Sequence, residues 1–230
     1  MEMSYLLAPI IGYFFGSIPF GFLVARHYGV NILEQGSGNI GATNVSRVLG
    51  KKPGLLVFFL DLAKGAVGVV GSASLTGMIS STAAGSGDVV AICGLLGGVG
   101  AILGHNFTFW LKFRGGKGIA TTAGVLLGLT PWTFLILITT WGILFKLTRY
   151  VSLASISAAA IMPFVTWFIE SGNIPLTAAT GVLGLLAILR HRSNIRRLLN
   201  GTENRFQKKR SEPGSMKDQG SVPNHDDKEN

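Results

Sequence analysis

The chain has 230 residues, of which 48% are hydrophobic and only 13% are charged, and it contains 32 glycines. This composition departs from that of soluble domains and indicates an all-α integral membrane protein with closely packed helices. The formal net charge is +9, and the single cysteine, Cys93, lies in an apolar run, which excludes an intrachain disulfide framework and a cysteine-based metal site.

Apolar segments long enough to form membrane helices follow one another along most of the chain. The first covers residues 3–25 without a charge, which suffices to cross a hydrocarbon core of about 30 Å. No basic region precedes it, so a retained helix is favoured over a cleaved signal peptide. The 118–145 segment contains Thr130-Pro131 near its middle and is predicted to form a helical hairpin. Counted as two spans, it completes a set of about seven with the remaining segments, which are 54–79, 89–111, 150–169 and 173–189.

The charges between these segments predict the orientation of the protein. Lys and Arg follow spans 1, 3, 5 and 7, whereas the loops after spans 2, 4 and 6 contain neither. Because short cytoplasmic loops carry the excess of basic residues, we expect the N-terminus outside and the C-terminus in the cytoplasm. The fourth span, about 118–130, is short enough to be a partial crossing. Residues 1–206 are predicted to form the membrane domain, and the polar residues 207–230 a disordered tail.

Three glycine-rich or basic segments lie on the predicted cytoplasmic side. They are QGSGNIGATN at 35–44, closely followed by Arg47, FRGGKG at 113–118 and RHRSNIRR at 190–197. Backbone N–H groups in glycine-rich turns form concave sites for anions, and nearby Lys or Arg side chains add charge. We therefore expect these segments to converge on a phosphate-bearing substrate, with Ser37, Arg47 and Lys117 in the leading roles.

The other candidate binding residues belong to the same three segments. Asn39 and Asn44 are as consistent with turn formation as with ligand binding. His191 and Asn194 are three residues apart and would share a helical face, although the end of an interfacial helix explains them nearly as well. The full set of substrate-binding candidates is Gly36, Gly38, Asn39, Gly41, Asn44, Gly115, Gly116, Gly118, His191 and Asn194.

Two nucleotide-binding patterns are excluded by their context. GSGNIG at 36–41 fits GxGxxG but follows a membrane helix, whereas the dinucleotide fingerprint requires a preceding strand. The GGKG loop has Leu111 where a P-loop has its first glycine, and Gly118 where Ser or Thr would hold magnesium. The three loops also lack paired carboxylates. This inventory suits a substrate that carries its own leaving group, and no cofactor or metal is expected.

Two intramembrane charges and one histidine complete the candidates. Asp61 and Lys64 are three residues apart within the second span, and charges at that depth are usually paired, so they are predicted to form an internal ion pair. A functional involvement of the pair stays open. His105, beside Gly104 at the end of the third span, is expected to have a structural or supporting role.

These motifs resemble those of the membrane family of acyl-phosphate:glycerol-3-phosphate acyltransferases. The resemblance covers about residues 4–206, on the motifs GSIPFG (16–21), GSGNIGATNVSR (36–47), GHNF (104–107), FRGGKGIAT (113–121), RYVSLASI (149–156) and RHRSNIRRLLNG (190–201). It implies an enzyme of the bacterial cytoplasmic membrane that transfers a fatty acyl group from acyl phosphate to the 1-hydroxyl of glycerol 3-phosphate. The products would be 1-acylglycerol 3-phosphate and phosphate, in the first step of phospholipid synthesis.

The resemblance also implies residue roles and partners. The essential serine and arginine of the family's first motif correspond to Ser37 and Arg47, and its glycerol-3-phosphate loop to residues 115–118. The histidine, asparagine and glutamate of its third motif correspond to His191, Asn194 and Glu203. The implied partners are acyl phosphate, glycerol 3-phosphate, membrane lipid and the enzyme that makes acyl phosphate.

The sequence departs from the family pattern at three places. Thr108 stands where a proline is expected, Arg114 stands where a lysine is usual, and residues 207–230 extend past the family's normal end. The main alternative function is a transporter of a phosphate-bearing anion, but the two halves of the chain show no self-similarity and the polar motifs crowd one surface. A non-catalytic scaffold accounts less well for three anion-type loops.

Overall fold

The computed structural model describes residues 3–79 and 87–206, and every regular element in these ranges is helical, which confirms the expected all-α fold. The predicted tail at 207–230 lies outside the described residues. The helices are α1 (Met3–Ser17), α2 (Phe20–His27), α3 (Ala42–Leu49), α4 (Lys51–Ile79), α5 (Gly87–Asn106), α6 (Ile119–Leu129), α7 (Pro131–Thr148), α8 (Val151–Ile169), α9 (Ile174–Arg190) and α10 (Arg192–Leu199).

The described helices support five or six membrane crossings. Five stretches are long and apolar enough to cross alone: Met3–His27, Lys51–Ser74, Val89–Leu111, Pro131–Thr148 and Val151–Ile169. Helices α9 and α10 are long and apolar enough to cross only when they are counted together, which would give a sixth crossing. The two helices are bent by 58° relative to each other. Helix α6 has 11 residues, or about 16 Å at 1.5 Å per residue, roughly half of a hydrocarbon core. The count of seven is therefore not confirmed, and the orientation stays a prediction.

Prolines set two of the helix boundaries. Helix α6 ends at Leu129 and α7 begins at Pro131, so the helix break predicted at Thr130-Pro131 is confirmed. That the two helices form a hairpin stays a prediction. Proline is favoured in the first turn of a helix because its missing N–H would have no intrahelical partner there. Pro19 lies immediately before α2 as its N-cap residue, and the 3–25 segment forms two helices, α1 and α2, rather than one.

Glycines allow the central helices to approach at backbone distance. A Cβ at Gly16 of α1 would collide with the backbone of Ala101 on α5, and one at Gly124 of α6 would collide with the carbonyl of Leu62 on α4. A separate apolar cluster lies below the 28–41 loop, where Ile32 and Ile40 are buried against Ala25, Val45 and Val57. This cluster fixes the loop and α3 against α2 and α4.

The predicted ion pair within the second span is confirmed. Lys64 Nζ lies 2.7 Å from Asp61 Oδ1, and both side chains are 3% exposed. Lys64 also donates to the carbonyl of Ile18, at 2.8 Å, where the chain breaks between α1 and α2. His105 Nδ1 lies 3.5 Å from the same oxygen of Asp61. The ion pair thus joins α4, α5 and the α1–α2 break in one buried polar cluster.

Candidate active site

Asn44 on α3 organises the first glycine-rich segment. Its buried side chain accepts the Ser37 N–H at 2.9 Å and donates to the carbonyls of Gln35 at 3.0 Å and Asn39 at 2.9 Å. The oxygen and the nitrogen of the Asn44 side-chain amide are therefore both hydrogen-bonded inside the loop, which fits the turn-forming alternative for Asn44. Ser37 itself is exposed, and its hydroxyl makes no hydrogen bond with the residues that the structure describes.

The backbone of this loop requires two of its glycines. Gly36 and Gly38 have φ of 60° and 67°, in the left-handed region that favours glycine. Gly41 has ordinary geometry, and its N–H donates to Asn39 Oδ1 at 2.8 Å just before α3 begins. Asn39, like Asn44, thus stabilises the turn, and the loop holds Ser37 at its surface.

The second segment does not form the expected nest of free amides at its first two glycines. The Gly115 N–H donates to the Asn106 carbonyl at 3.2 Å, and the Gly116 N–H donates to the His105 carbonyl at 3.0 Å. A Cβ at Gly116 would collide with the His105 imidazole. His105 therefore lies directly beneath the loop, and the glycines are needed for close packing. Gly118, with φ of 80°, precedes the first residue of α6.

Arg190, the last residue of α9, holds the same loop from the other side. Its Nε donates to the Gly116 carbonyl at 3.1 Å, and its Nη2 donates to the carbonyls of Gly116 at 2.8 Å and Gly115 at 3.0 Å. The guanidinium carbon lies 5.4 Å from the centroid of the Phe107 ring. Immediately after Arg190, His191 is buried, with its Nδ1 2.7 Å from the Ala187 carbonyl oxygen.

A chain of hydrogen bonds connects Lys117 to Glu203. Lys117 Nζ donates to Asn194 Oδ1, and Asn194 Nδ2 donates to Glu203 Oε1 at 2.8 Å. The same carboxylate accepts the hydroxyl of Ser152 at 2.9 Å and Nε of Arg197 at 2.7 Å. Glu203 therefore sets the amide of Asn194 so that its oxygen faces the ammonium group.

The three segments converge on one cavity, as predicted. Its volume is about 400 Å³. Its lining comes from the first segment and the second, from the end of α5 and from both sides of the α9–α10 bend, and consists of Ser37, Asn39, Phe107, Lys117, Leu186, Leu189, Arg190, Arg192, Ser193 and Arg197. Among these residues there are four cations and no carboxylate. Arg47, His105 and His191 lie outside the lining, although the charge of Arg47 acts on Lys117.

The electrostatics of the cavity favour anions. The pKa of Lys117 is lowered to about 8, mainly by burial and also by Arg197, Arg47 and Arg190, while Glu203 opposes them. Burial also lowers the pKa of Arg47. For Glu203, burial alone would raise the pKa, but hydrogen bonds from Asn194, Arg197 and Ser152 outweigh it, so this pKa is lowered and the carboxylate stays charged. Within the described residues, no group of three His, Cys, Asp or Glu side chains is placed to hold a metal ion.

Several site residues escaped the sequence analysis. Arg190, Arg192, Ser193 and Arg197 were read only as part of a basic segment, and Phe107 and Ser152 only as part of motifs. One signal was available: Leu186, Arg190, Ser193 and Arg197 are spaced as i, i+4, i+7 and i+11, which places them on one helical face.

A narrow apolar groove lies between α6, α7, α8 and α9. Ile119, which follows the GGKG loop, and Ala187, which contacts His191, belong to its wall. Trp141 donates from Nε1 to the Ser155 hydroxyl at 3.0 Å in the same wall. The groove therefore begins next to residues of the polar site and continues among the membrane helices.

A cationic cavity of this kind, at the end of packed membrane helices and beside an apolar groove, suits a membrane protein that acts on an anionic substrate. Comparison with known proteins makes the class specific. A family model described as glycerol-3-phosphate acyltransferase matches residues 6–201. The glycerol-3-phosphate acyltransferase of Syntrophotalea carbinolica is 43% identical over 204 residues, covering 88% of this chain and 98% of the relative. The glycerol-3-phosphate acyltransferase of Aquifex aeolicus is 41% identical over 204 residues, covering 89% of this chain and 100% of the relative.

Two solved structures are also similar. Both are crystal structures of PlsY, an integral membrane glycerol 3-phosphate acyltransferase. The glycerol 3-phosphate form has a TM-score of 0.77 and 39% identity, and the lysophosphatidic acid form has 0.74 and 40%; each comparison covers 89% of this chain and 96% of the other. The chain belongs to the glycerol-3-phosphate acyltransferase family. It is a multi-pass membrane enzyme that transfers an acyl group to glycerol 3-phosphate.

Proposed function

We propose that the acyl donor is acyl phosphate and that the reaction takes place at the cytoplasmic face of a bacterial inner membrane. The products are then 1-acylglycerol 3-phosphate and inorganic phosphate. The observation that carries the proposal is the cavity with four cations and no carboxylate in its lining, which adjoins an apolar groove. Two phosphate groups and one acyl chain have complementary sites there.

Glycerol 3-phosphate binds on the side of the cavity formed by the GGKG loop and α10. Lys117 is its principal contact, because the ammonium group is held by Asn194 and faces the lining. Charge-assisted hydrogen bonds to phosphate are the strong ones in proteins. Gly115, Gly116 and Gly118 shape this loop. Asn194 holds the Lys117 ammonium group, Glu203 orients Asn194, and His191 is buried at the α9–α10 bend.

Acyl phosphate binds with its phosphate near the first segment and its chain in the apolar groove. Ser37 is the exposed hydroxyl of that segment, and Arg47 follows it on α3. Ile119 and Ala187 connect the apolar groove to the polar site, since each belongs to the wall of the groove and adjoins a residue of the polar site. Gly36, Gly38, Asn39, Gly41 and Asn44 hold the loop in the shape that presents Ser37.

The chemical step exchanges one acyl–oxygen bond for another. The 1-hydroxyl oxygen of glycerol 3-phosphate attacks the acyl carbonyl carbon, the bond from this carbon to the phosphate oxygen breaks, and phosphate leaves. The cations stabilise the charge of the leaving group. The substrate's own phosphate accepts the hydroxyl proton. The pKa of Lys117 is lowered to about 8, and a bound phosphate dianion raises this pKa and keeps the ammonium group protonated.

The test is phosphate release by purified protein in lipid vesicles given acyl phosphate, with and without glycerol 3-phosphate. We expect release that depends on glycerol 3-phosphate, strong loss in Ser37→Ala and Arg47→Ala, and wild-type rates in Arg26→Ala, a matched exposed arginine on α2. Equal rates in all three variants, or release that ignores glycerol 3-phosphate, would sink the proposal. If a single side-chain replacement left the binding of both substrates intact but abolished the chemical step, the proton acceptor would be that side chain and not the substrate's phosphate.

The same vesicles test the transporter alternative. Uptake of labelled glycerol 3-phosphate into vesicles without acyl phosphate would support transport. Formation of acylated product without uptake supports the enzyme. Acyl-coenzyme A added in place of acyl phosphate tests the donor, and equal product from both donors would contradict our assignment of acyl phosphate.

A further inference from the structure

Arg190 makes the most extensive contact between the third segment and the GGKG loop. Three hydrogen bonds of 2.8–3.1 Å join its guanidinium to the carbonyls of Gly115 and Gly116, which precede it by 75 and 74 residues. The guanidinium carbon lies over the Phe107 ring, 5.4 Å from its centroid. A planar fork that donates three hydrogen bonds to two carbonyls is restrained in both position and orientation, and the cation–π contact adds to this.

The loop is consequently held on both sides of its backbone. The N–H groups of Gly115 and Gly116 donate to carbonyls at the end of α5, and their carbonyls accept from Arg190. Any inward movement meets the His105 imidazole, which already lies in contact range of Gly116. The N–H and C=O groups of both Gly115 and Gly116 are therefore hydrogen-bonded, which restrains the backbone that leads into Lys117.

The side chain of Lys117 is held by the same part of the chain. Its ammonium donates to Asn194, which follows Arg190 by four residues across the α9–α10 bend. Arg190 thus restrains the backbone that leads into Lys117. Asn194 restrains the position of the Lys117 ammonium group. The second terminal nitrogen of Arg190, Nη1, makes no hydrogen bond with the described residues, and Arg190 lines the cavity.

We propose that Arg190 is a positioning residue for the acyl transfer: it ties the GGKG backbone so that Lys117 meets the phosphate of glycerol 3-phosphate in the reactive geometry. Lysine at this position keeps the charge but offers a flexible ammonium group in place of the planar fork, so it does not reproduce the fixed arrangement of the three hydrogen bonds. The inference rests on the proposed function, because it gives Lys117 the role of phosphate ligand.

The decisive variant is Arg190→Lys, compared with Arg196→Lys, an exposed charge-preserving control on α10 outside the lining. A misplacement of about 1 Å costs on the order of 10²-fold in rate. We expect a loss of about that size in kcat/KM for glycerol 3-phosphate in Arg190→Lys, with a raised KM, and wild-type kinetics in Arg196→Lys.

The pH dependence separates positioning from a folding defect. Release of the loop exposes Lys117, so the alkaline limb of kcat/KM moves upward in Arg190→Lys. A smaller folded fraction lowers the apparent kcat but leaves KM and this limb unchanged. Either that pattern, or an Arg190→Lys variant as active as Arg196→Lys, would overturn the inference.

A double-mutant cycle provides an independent measurement. Glycerol 3-phosphate affinity is measured for wild type, Arg190→Lys, Lys117→Ala and the double variant. If Arg190 acts through Lys117, Arg190→Lys weakens binding much less in the Lys117→Ala background. Additive losses would contradict the coupling. An inactive wild type would instead contradict the proposed function, so the two failures are distinguishable.

Discussion

Replacement of Glu203 by glutamine removes one charge from the centre of the hydrogen-bond network and changes the side-chain shape little. The carboxylate accepts from Ser152, Asn194 and Arg197 at 2.9, 2.8 and 2.7 Å, and its side chain is 2% exposed. A glutamine amide has one oxygen for these three donors and adds two N–H donors of its own. At least one donor therefore loses its partner in Glu203→Gln.

The size of the effect follows from these contacts. Hydrogen bonds to a charged group contribute about 1.5–3 kcal/mol each, and removal of one partner from a buried ion pair costs about 3–5 kcal/mol. The Arg197 side chain is 33% exposed, so water replaces part of its loss. We expect Glu203→Gln to lower the free energy of unfolding by about 3 kcal/mol. This corresponds to a decrease of about 6–12 °C in Tm for a chain of this length.

The pH dependence of this loss is also determined. The folded-state pKa of Glu203 is lowered from its ordinary value of 4.5, so its stabilisation is present above that value and is lost as pH falls through the lower, folded-state pKa. The Tm difference between wild type and Glu203→Gln should therefore narrow in acid. The assay is thermal unfolding followed by tryptophan fluorescence, with the exposed Glu34→Gln as control. Equal Tm values for the two variants, or a difference that does not vary with pH, would refute the reasoning.

Three further predictions concern the loop and the ion pair. Because the pKa of Lys117 is about 8, kcat/KM for glycerol 3-phosphate should fall above that pH and Lys117→Arg should move the limb upward; a flat alkaline profile would contradict this. Gly116→Ala should abolish acyl transfer, since its Cβ collides with the imidazole below, whereas Gly142→Ala, with open space around it, should keep wild-type initial rates; equal rates would be the contrary result. Asp61→Asn leaves Lys64 buried and unpaired, at a cost of about 3–5 kcal/mol in unfolding free energy. Thermal unfolding should show partial recovery in Asp61→Asn/Lys64→Met, and a double variant no more stable than the single one would disprove the pairing argument.

Hydropathy predicted where the helices lie better than where they break. Thr130-Pro131 interrupts a 28-residue segment, and the structure has a helix boundary there. Pro19 is the same kind of signal, but it lies in a segment whose length already fits one span, so the break before α2 was missed. The length of a hydrophobic segment reflects its total apolar content, whereas a break depends on one residue and on partners for the backbone groups at the break. Here the Ile18 carbonyl accepts from Lys64 and from the Phe20 N–H.

The candidate site shows a similar division. Residue types and loop composition were enough to predict that three segments meet, because backbone N–H groups of glycine-rich turns with nearby cations form concave sites for anions. The three segments line one cavity, and that it binds an anion stays a prediction. Which amides stay free could not be predicted. The Gly115 and Gly116 peptides are occupied by the end of α5 and by Arg190, and these contacts exist only after α5 and α9 have packed.

Repulsion among the clustered cations favours the binding of an anion in this cavity. Lys117 shares its surroundings with Arg47, Arg190 and Arg197, which together with burial lower its pKa, while Glu203 is already committed to Asn194, Ser152 and Arg197. A phosphate ester that enters the cavity replaces cation repulsion with attraction in surroundings that are partly shielded from water. We therefore expect affinity for glycerol 3-phosphate to be greatest for the more highly charged phosphate dianion. If acyl phosphate is the donor, as proposed, the same cations are available to stabilise its departing phosphate.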